Sequence, residues 1–101
     1  MNDAVPLHIP FEELEAFCRR YQVRELALFG SMLRQEHRPE SDIDLLVSFV
    51  PSARITFLIL ARMQRELEAL LGGKVDLVPK DGLKPLIRDH ILATARVLYG
   101  A

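Results

Sequence analysis

The chain has 101 residues, half of them apolar and about a quarter charged, with a net charge of −1. One domain with an ordinary soluble composition is expected, with little room for a second functional module. The near-neutral charge argues against a broad basic face gripping nucleic acid. A single cysteine, Cys18, excludes an internal disulfide, and three scattered histidines (His8, His37, His90) do not suggest a zinc site.

The first nine residues read as a loose lead-in. They contain no basic leader followed by a long apolar run, and no stretch approaches the length of a membrane span. The cytoplasm is therefore the expected compartment, with no membrane association. From Pro10 to Tyr21 the pattern is helical. Proline suits the first turn, Glu12 and Glu13 favour the positive end of the helix dipole, and Leu14, Phe17, Cys18 and Tyr21 form one apolar stripe. Cys18 reads as a small buried hydrophobe within that stripe.

Val23 to Phe29 reads as a strand that Gly30 ends. Ser31 is then a good N-cap for a short helix from Met32 to about Glu36. A polar loop, His37 to Glu40, leads to Ser41, which opens a second strand running from Asp42 to Phe49. Pro51 and Ser52 break it. A long helix is predicted from Ile55 to Leu71, with Ile59, Met63, Leu67, Leu70 and Leu71 on one side and Gly72-Gly73 as its stop. The segment Ile55 to Leu60 carries more apolar residues than one helix face needs. Filling the core is the preferred reading, and a partner surface is the other. Lys74 to Val78 forms a third strand, and a last helix is predicted from Pro85 to about Tyr99. Leu86, Ile87, Ile91, Leu92, Ala95 and Leu98 are its apolar set. The order predicts an α+β, two-layer domain spanning residues 1–101, with a small three- to four-stranded mixed sheet packed by helices.

The chemistry concentrates between Leu26 and Val50. Alternation along a strand puts Asp42 and Asp44 on one face and Ile43, Leu45 and Val47 on the other. Two adjacent carboxylates repel unless a cation neutralises them or water solvates them well. Magnesium, a hard cation, typically takes one or two carboxylates together with substrate phosphates. Asp76, flanked by Val75 and Leu77, is a third carboxylate, unusual inside an apolar strand because a buried unpaired charge is costly. If its strand lies beside the Asp42–Asp44 strand, three carboxylates converge and two metal ions fit. Gly30-Ser31, where a strand turns into a helix, offers backbone N–H groups to an anion, and Arg34 lies one turn further on. A Gly-Ser pair or an Asp-x-Asp alone is usually just a turn or a solvated strand end. The combination is what points to phosphate chemistry.

These residues resemble the signature of the DNA polymerase β-type nucleotidyltransferase superfamily: Gly30-Ser31, ten residues, Asp42-Ile43-Asp44, and a third carboxylate, here Asp76, on a later strand. The short length resembles the minimal nucleotidyltransferases, which often serve as antitoxins of HEPN toxins, and the likeness covers nearly the whole chain. It implies that Gly30 and Ser31, with Arg34 and Ser41, bind the nucleotide. It also implies that Asp42, Asp44 and Asp76 are the catalytic residues and hold two Mg2+ ions. The implied reaction moves AMP from ATP to a hydroxyl, a tyrosine in the antitoxin subgroup, of a HEPN-type RNase partner. Gln35 departs from the small residue common after the arginine matched by Arg34. An autonomous polymerase is not expected at this length and charge. The alternatives are a transferase acting on a small molecule and a module that silences its partner by contact alone. His37, Arg38 and His90 are assigned no role.

Overall fold

The computed structural model describes residues 8–30 and 42–100. Its elements in chain order are α1 (Phe11–Arg20), β1 (Val23–Phe29), β2 (Ile43–Phe49), α2 (Phe57–Leu71), β3 (Val75–Pro79), a 3-10 turn (Lys80–Gly82), α3 (Pro85–Thr94) and β4 (Arg96–Tyr99). The strands form one mixed sheet in the order β3-β2-β1-β4, with β2 and β3 parallel and the other neighbours antiparallel. This is the α+β arrangement predicted from the order of elements. The short helix expected after Ser31 and the loop from His37 to Glu40 lie outside the described residues.

One face of the sheet carries the core. Ile43, Leu45 and Val47 of β2 point there with Leu26 and Leu28 of β1 and Val75 of β3. Leu14, Phe17 and Cys18 of α1 meet them, as do Met63, Leu67 and Leu71 of α2. The α1 and α2 positions recur at three- and four-residue spacing, so each helix buries one stripe. Helix ends follow local chemistry. The Thr56 hydroxyl accepts the Ile59 N–H at 3.2 Å, which starts α2 two residues later than the apolar pattern suggests. Gly72, in the left-handed region at φ 77°, ends it. The Glu66 carboxylate of α2 accepts from Tyr21 and Arg20 at the end of α1, tying the two helices together. Cys18 is wholly buried. Burial, reinforced by the nearby Glu15 charge, pushes its thiol up to about 12.

Two expectations are corrected. The last helix stops at Thr94, and Arg96–Tyr99 is a strand paired with β1, with Ala27 opposite Val97. The free edge of β1 supplies the reason, since its outward backbone groups need partners and a short Val- and Tyr-bearing segment provides them. The helical apolar set predicted for this segment is largely not core. Leu86 is 97% exposed, and α3 buries no residue. The second correction concerns Ile55 to Leu60. Ile59 and Leu60 pack against the core, but Phe57 and Leu58 stand 89% and 81% exposed. Starting the helix at Thr56 turns its first two residues away from the sheet. No helix among the described residues is long and apolar enough to cross a membrane.

Candidate active site

The face of the sheet opposite the core carries the acidic residues. Position 44 is the pivot. Across the antiparallel pairing it lies opposite Phe29, and across the parallel pairing it lies opposite Asp76. Residues directly opposite one another project to the same face, so Phe29, Asp44 and Asp76 form one row across three strands. Asp42 stands one residue before β2 begins, two positions from Asp44, where continued strand alternation would give it the same side. Ile43 points to the core between them, and its N–H donates to the Lys74 carbonyl at 2.7 Å. That bond pins the start of β2 to the start of β3 beside Asp42 and Asp76.

The glycine that ends β1 closes the row. Gly30 has φ 75°, in the left-handed region that side chains disfavour. A Cβ built there would lie 2.1 Å from Oδ2 of Asp44. The backbone at Gly30 and the Asp44 carboxylate thus occupy adjoining space, and only hydrogen at this α-carbon permits it. Strand alternation and a glycine stop therefore bring the two halves of the motif together across 13 intervening residues.

Asp44 is half-buried, and Asp42 and Asp76 are exposed. Exposure of Asp76 corrects the picture of a carboxylate locked in an apolar strand. Val75 and Leu77 face the core, but β3 is an edge strand and the side bearing Asp76 is open to water, so its charge is solvated. Among the described residues no three His, Cys, Asp or Glu side chains stand close enough to hold a metal ion. The backbone register collects Asp42, Asp44 and Asp76 at one corner of the sheet without closing their side chains on a common point. Ser31, Arg34 and Ser41, with Gln35, His37 and Arg38, lie outside the described residues; His90 is exposed on α3.

Beside the acidic row on the same face, Leu46 pairs with Ala27 and Ala27 with Val97. These residues, with Leu92 of α3 and a Lys80–Glu25 ion pair of 3.3 Å, line a cavity of about 170 Å³. Pockets for drug-sized ligands run to roughly 300–1,000 Å³, so this one admits a single ring or side chain. Sequence reading does not find it. Glu25 and Lys80 stand 55 positions apart and no local pattern links them.

A family model for the nucleotidyltransferase domain matches residues 12–98. The chain is 44% identical over 75 residues to the protein adenylyltransferase MntA of Thermococcus cleftensis, an overlap of 72% of each chain. Among solved structures, a toxin–antitoxin complex with AMP-PNP superposes with a TM-score of 0.72 at 19% identity, over 92% of this chain and 75% of that one. The MNT antitoxin complex of a tri-AMPylated Shewanella oneidensis HEPN toxin superposes at 0.63 and 18% identity, over 90% and 70%. At these identities the two structures establish the shared fold.

Proposed function

Because this chain belongs to the nucleotidyltransferase domain family and is a nucleotidyltransferase, we propose that it moves AMP from ATP onto a HEPN-type toxin and so acts as that toxin's antitoxin. The observation that carries the reading is the seating of Gly30 against the Asp44 carboxylate, with Asp76 in register on the far side. It is supported by a relative named as a protein adenylyltransferase and by a fold neighbour complexed with an AMPylated HEPN toxin.

In this reading the acceptor is a tyrosine hydroxyl of the partner. Its oxygen attacks the α-phosphorus of ATP and forms a new P–O bond. The bond from that phosphorus to the bridging oxygen breaks, and pyrophosphate leaves. The proton passes from the hydroxyl to the Asp76 carboxylate and on to water. Gly30, Ser31, Arg34 and Ser41 hold the phosphate chain. Without a Cβ, Gly30 leaves room for the Asp44 carboxylate beside the turn that would meet the phosphates.

The donor set suits Mg2+. It is made only of carboxylate oxygens on a face open to water, and the cation keeps several waters while taking one or two carboxylates. Asp42, Asp44 and Asp76 would hold two such ions, which would supply positive charge to the attacking and leaving oxygens.

A second reading is neutralisation by contact alone. The exposure of Phe57 and Leu58 favours it, because large apolar residues side by side in water mark partner surfaces. One assay separates the two. The chain is mixed with Mg2+, ATP labelled at the α-phosphate and the product of the adjacent gene. Under the transfer reading, label moves covalently to the partner, and Asp42→Ala with Asp44→Ala abolishes both labelling and neutralisation. Under the contact reading no label moves, the carboxylate variant still neutralises, and Phe57→Ser with Leu58→Ser does not.

A further inference from the structure

Strand β3, which carries Asp76, lies at the edge of the sheet among the described residues, so its outer backbone groups face no neighbouring strand. The Lys74 carbonyl faces β2, where it accepts the Ile43 N–H. Successive backbone groups alternate along a strand, so the Val75 N–H points the other way, off the edge of the sheet. It is not left to solvent. The Glu68 carboxylate of α2 accepts it at 3.1 Å. The backbone carbonyl of the same Glu68 accepts the Gly72 N–H at 2.8 Å, closing the C-terminus of α2. One residue therefore clamps both ends of the turn between α2 and β3, and Asp76 is the next residue after the clamped one.

We propose that Glu68 is a positioning residue for the transfer reaction, holding β3 so that Asp76 stays in register with Asp44. The proposal rests on the reading of Asp76 as the carboxylate nearest the acceptor. Val75 is 3% exposed and locks the core side of the strand, but its side chain constrains only one face. The edge N–H lies on the side that the pairing with β2 leaves open. A charge-assisted bond to it is roughly twice as strong as a neutral one, and half-buried Glu68 supplies it from a helix that is itself fixed by Met63, Leu67 and Leu71. No charge balance at the phosphate is involved. Glu68 acts on the acceptor side of the site alone, through the backbone.

The test uses Glu68→Ala, Glu68→Asp and Glu68→Gln in the full chain. Glu68→Asp keeps the charge and is too short to reach, and Glu68→Gln keeps an accepting oxygen at the original length. Amide exchange at Val75 and Asp76 is read in the free chain by NMR. Transfer to the HEPN partner is read as kcat and as KM for ATP. The expected result for Ala and Asp is faster exchange at Val75, kcat lower by about 10–100-fold, and KM for ATP unchanged, because Gly30 is untouched. Gln recovers most of both. Faster exchange at Val75 with wild-type kcat would reduce Glu68 to a structural staple and overturn the proposal. An equal loss in Gln and Ala would also overturn it, by showing that the accepting oxygen is not what matters. A wild-type chain that transfers nothing sinks the reading of Asp76 and the proposal with it. The exchange data would still report whether Glu68 holds the strand, so the two failures are distinguishable.

Discussion

Replacing Gly30 with alanine separates two reasons for a glycine, backbone conformation and space. The left-handed conformation costs a non-glycine residue roughly 1–2 kcal/mol. Gly72 provides the control, because its φ of 77° matches the 75° of Gly30 and a Cβ there meets nothing within 4 Å. Both alanine variants should lose stability through that shared backbone cost, by about 4–16 °C in Tm for a domain of this size, and any extra loss at Gly30 reads the contact with Asp44. Their activities should part. At Gly30 the new Cβ falls 2.1 Å from Asp44 Oδ2, whereas ordinary contact begins at 3.4 Å, so glycine backbone and carboxylate must separate by roughly 1.3 Å. A displacement of about 1 Å at reacting groups can cost on the order of 100-fold in rate. Gly30→Ala should therefore lose transfer by about that factor while Gly72→Ala stays within a few-fold of wild type. Thermal unfolding followed by circular dichroism, with initial rates of label transfer, reads both quantities. Equal transfer rates for the two variants would refute the claim that Gly30 is required by its approach to Asp44.

Two further outcomes concern the core. Leu67→Ala removes a wholly buried side chain between α2 and the sheet and should cost about 2–5 kcal/mol, read as a lowered midpoint in urea with little change in slope. Cys18 titrates near 12 in the fold against an ordinary value of 9.0. The fold favours the protonated thiol, so this stabilisation is complete below pH 9 and is lost as pH rises from about 9 toward 12. Cys18→Ala should flatten that alkaline loss in unfolding measurements. In the unmodified chain a thiol reagent at about pH 8, where the buried thiol stays protonated, should react only at the rate of unfolding.

The parts that can be read from sequence share a physical trait: each is specified by neighbours in the chain. Asp42 and Asp44 share a face because strands alternate, and Gly30 stops β1 because it tolerates φ 75°. Gly72 ends α2 for the same reason, and Pro85 opens α3. What cannot be read depends on neighbours in space. Leu98 fits a helical period counted from Ile91 as well as it fits a strand, and only the open edge of β1 decides for the strand. Phe57 and Leu58 look like core by composition. Their exposure follows from where the Thr56 cap sets the rotation of α2. Asp76 looks buried because its sequence neighbours are apolar. A strand at the sheet edge can bury those neighbours and still leave alternate positions wet.

The placement of β2 explains how so small a sheet gathers Asp42, Asp44 and Asp76 at one corner. β2 has an antiparallel neighbour on one side and a parallel one on the other. The antiparallel pairing brings the C-terminal end of β1, with Gly30, to Asp44. The parallel pairing brings the N-terminal end of β3, with Asp76, to the same place. Reversing β1 would carry Gly30 to the far end of a seven-residue strand, roughly 20 Å or more away, and reversing β3 would move Asp76 two positions along, roughly 7 Å out of register with Asp44. Mixed topology is thus a requirement of the site. The loops that allow it differ accordingly: a parallel return needs a crossover, and α2 both supplies it and roofs the core. The helix that crosses from β2 to β3 is also the element that carries Glu68, so the crossover delivers Asp76 to the corner and clamps the strand that holds it.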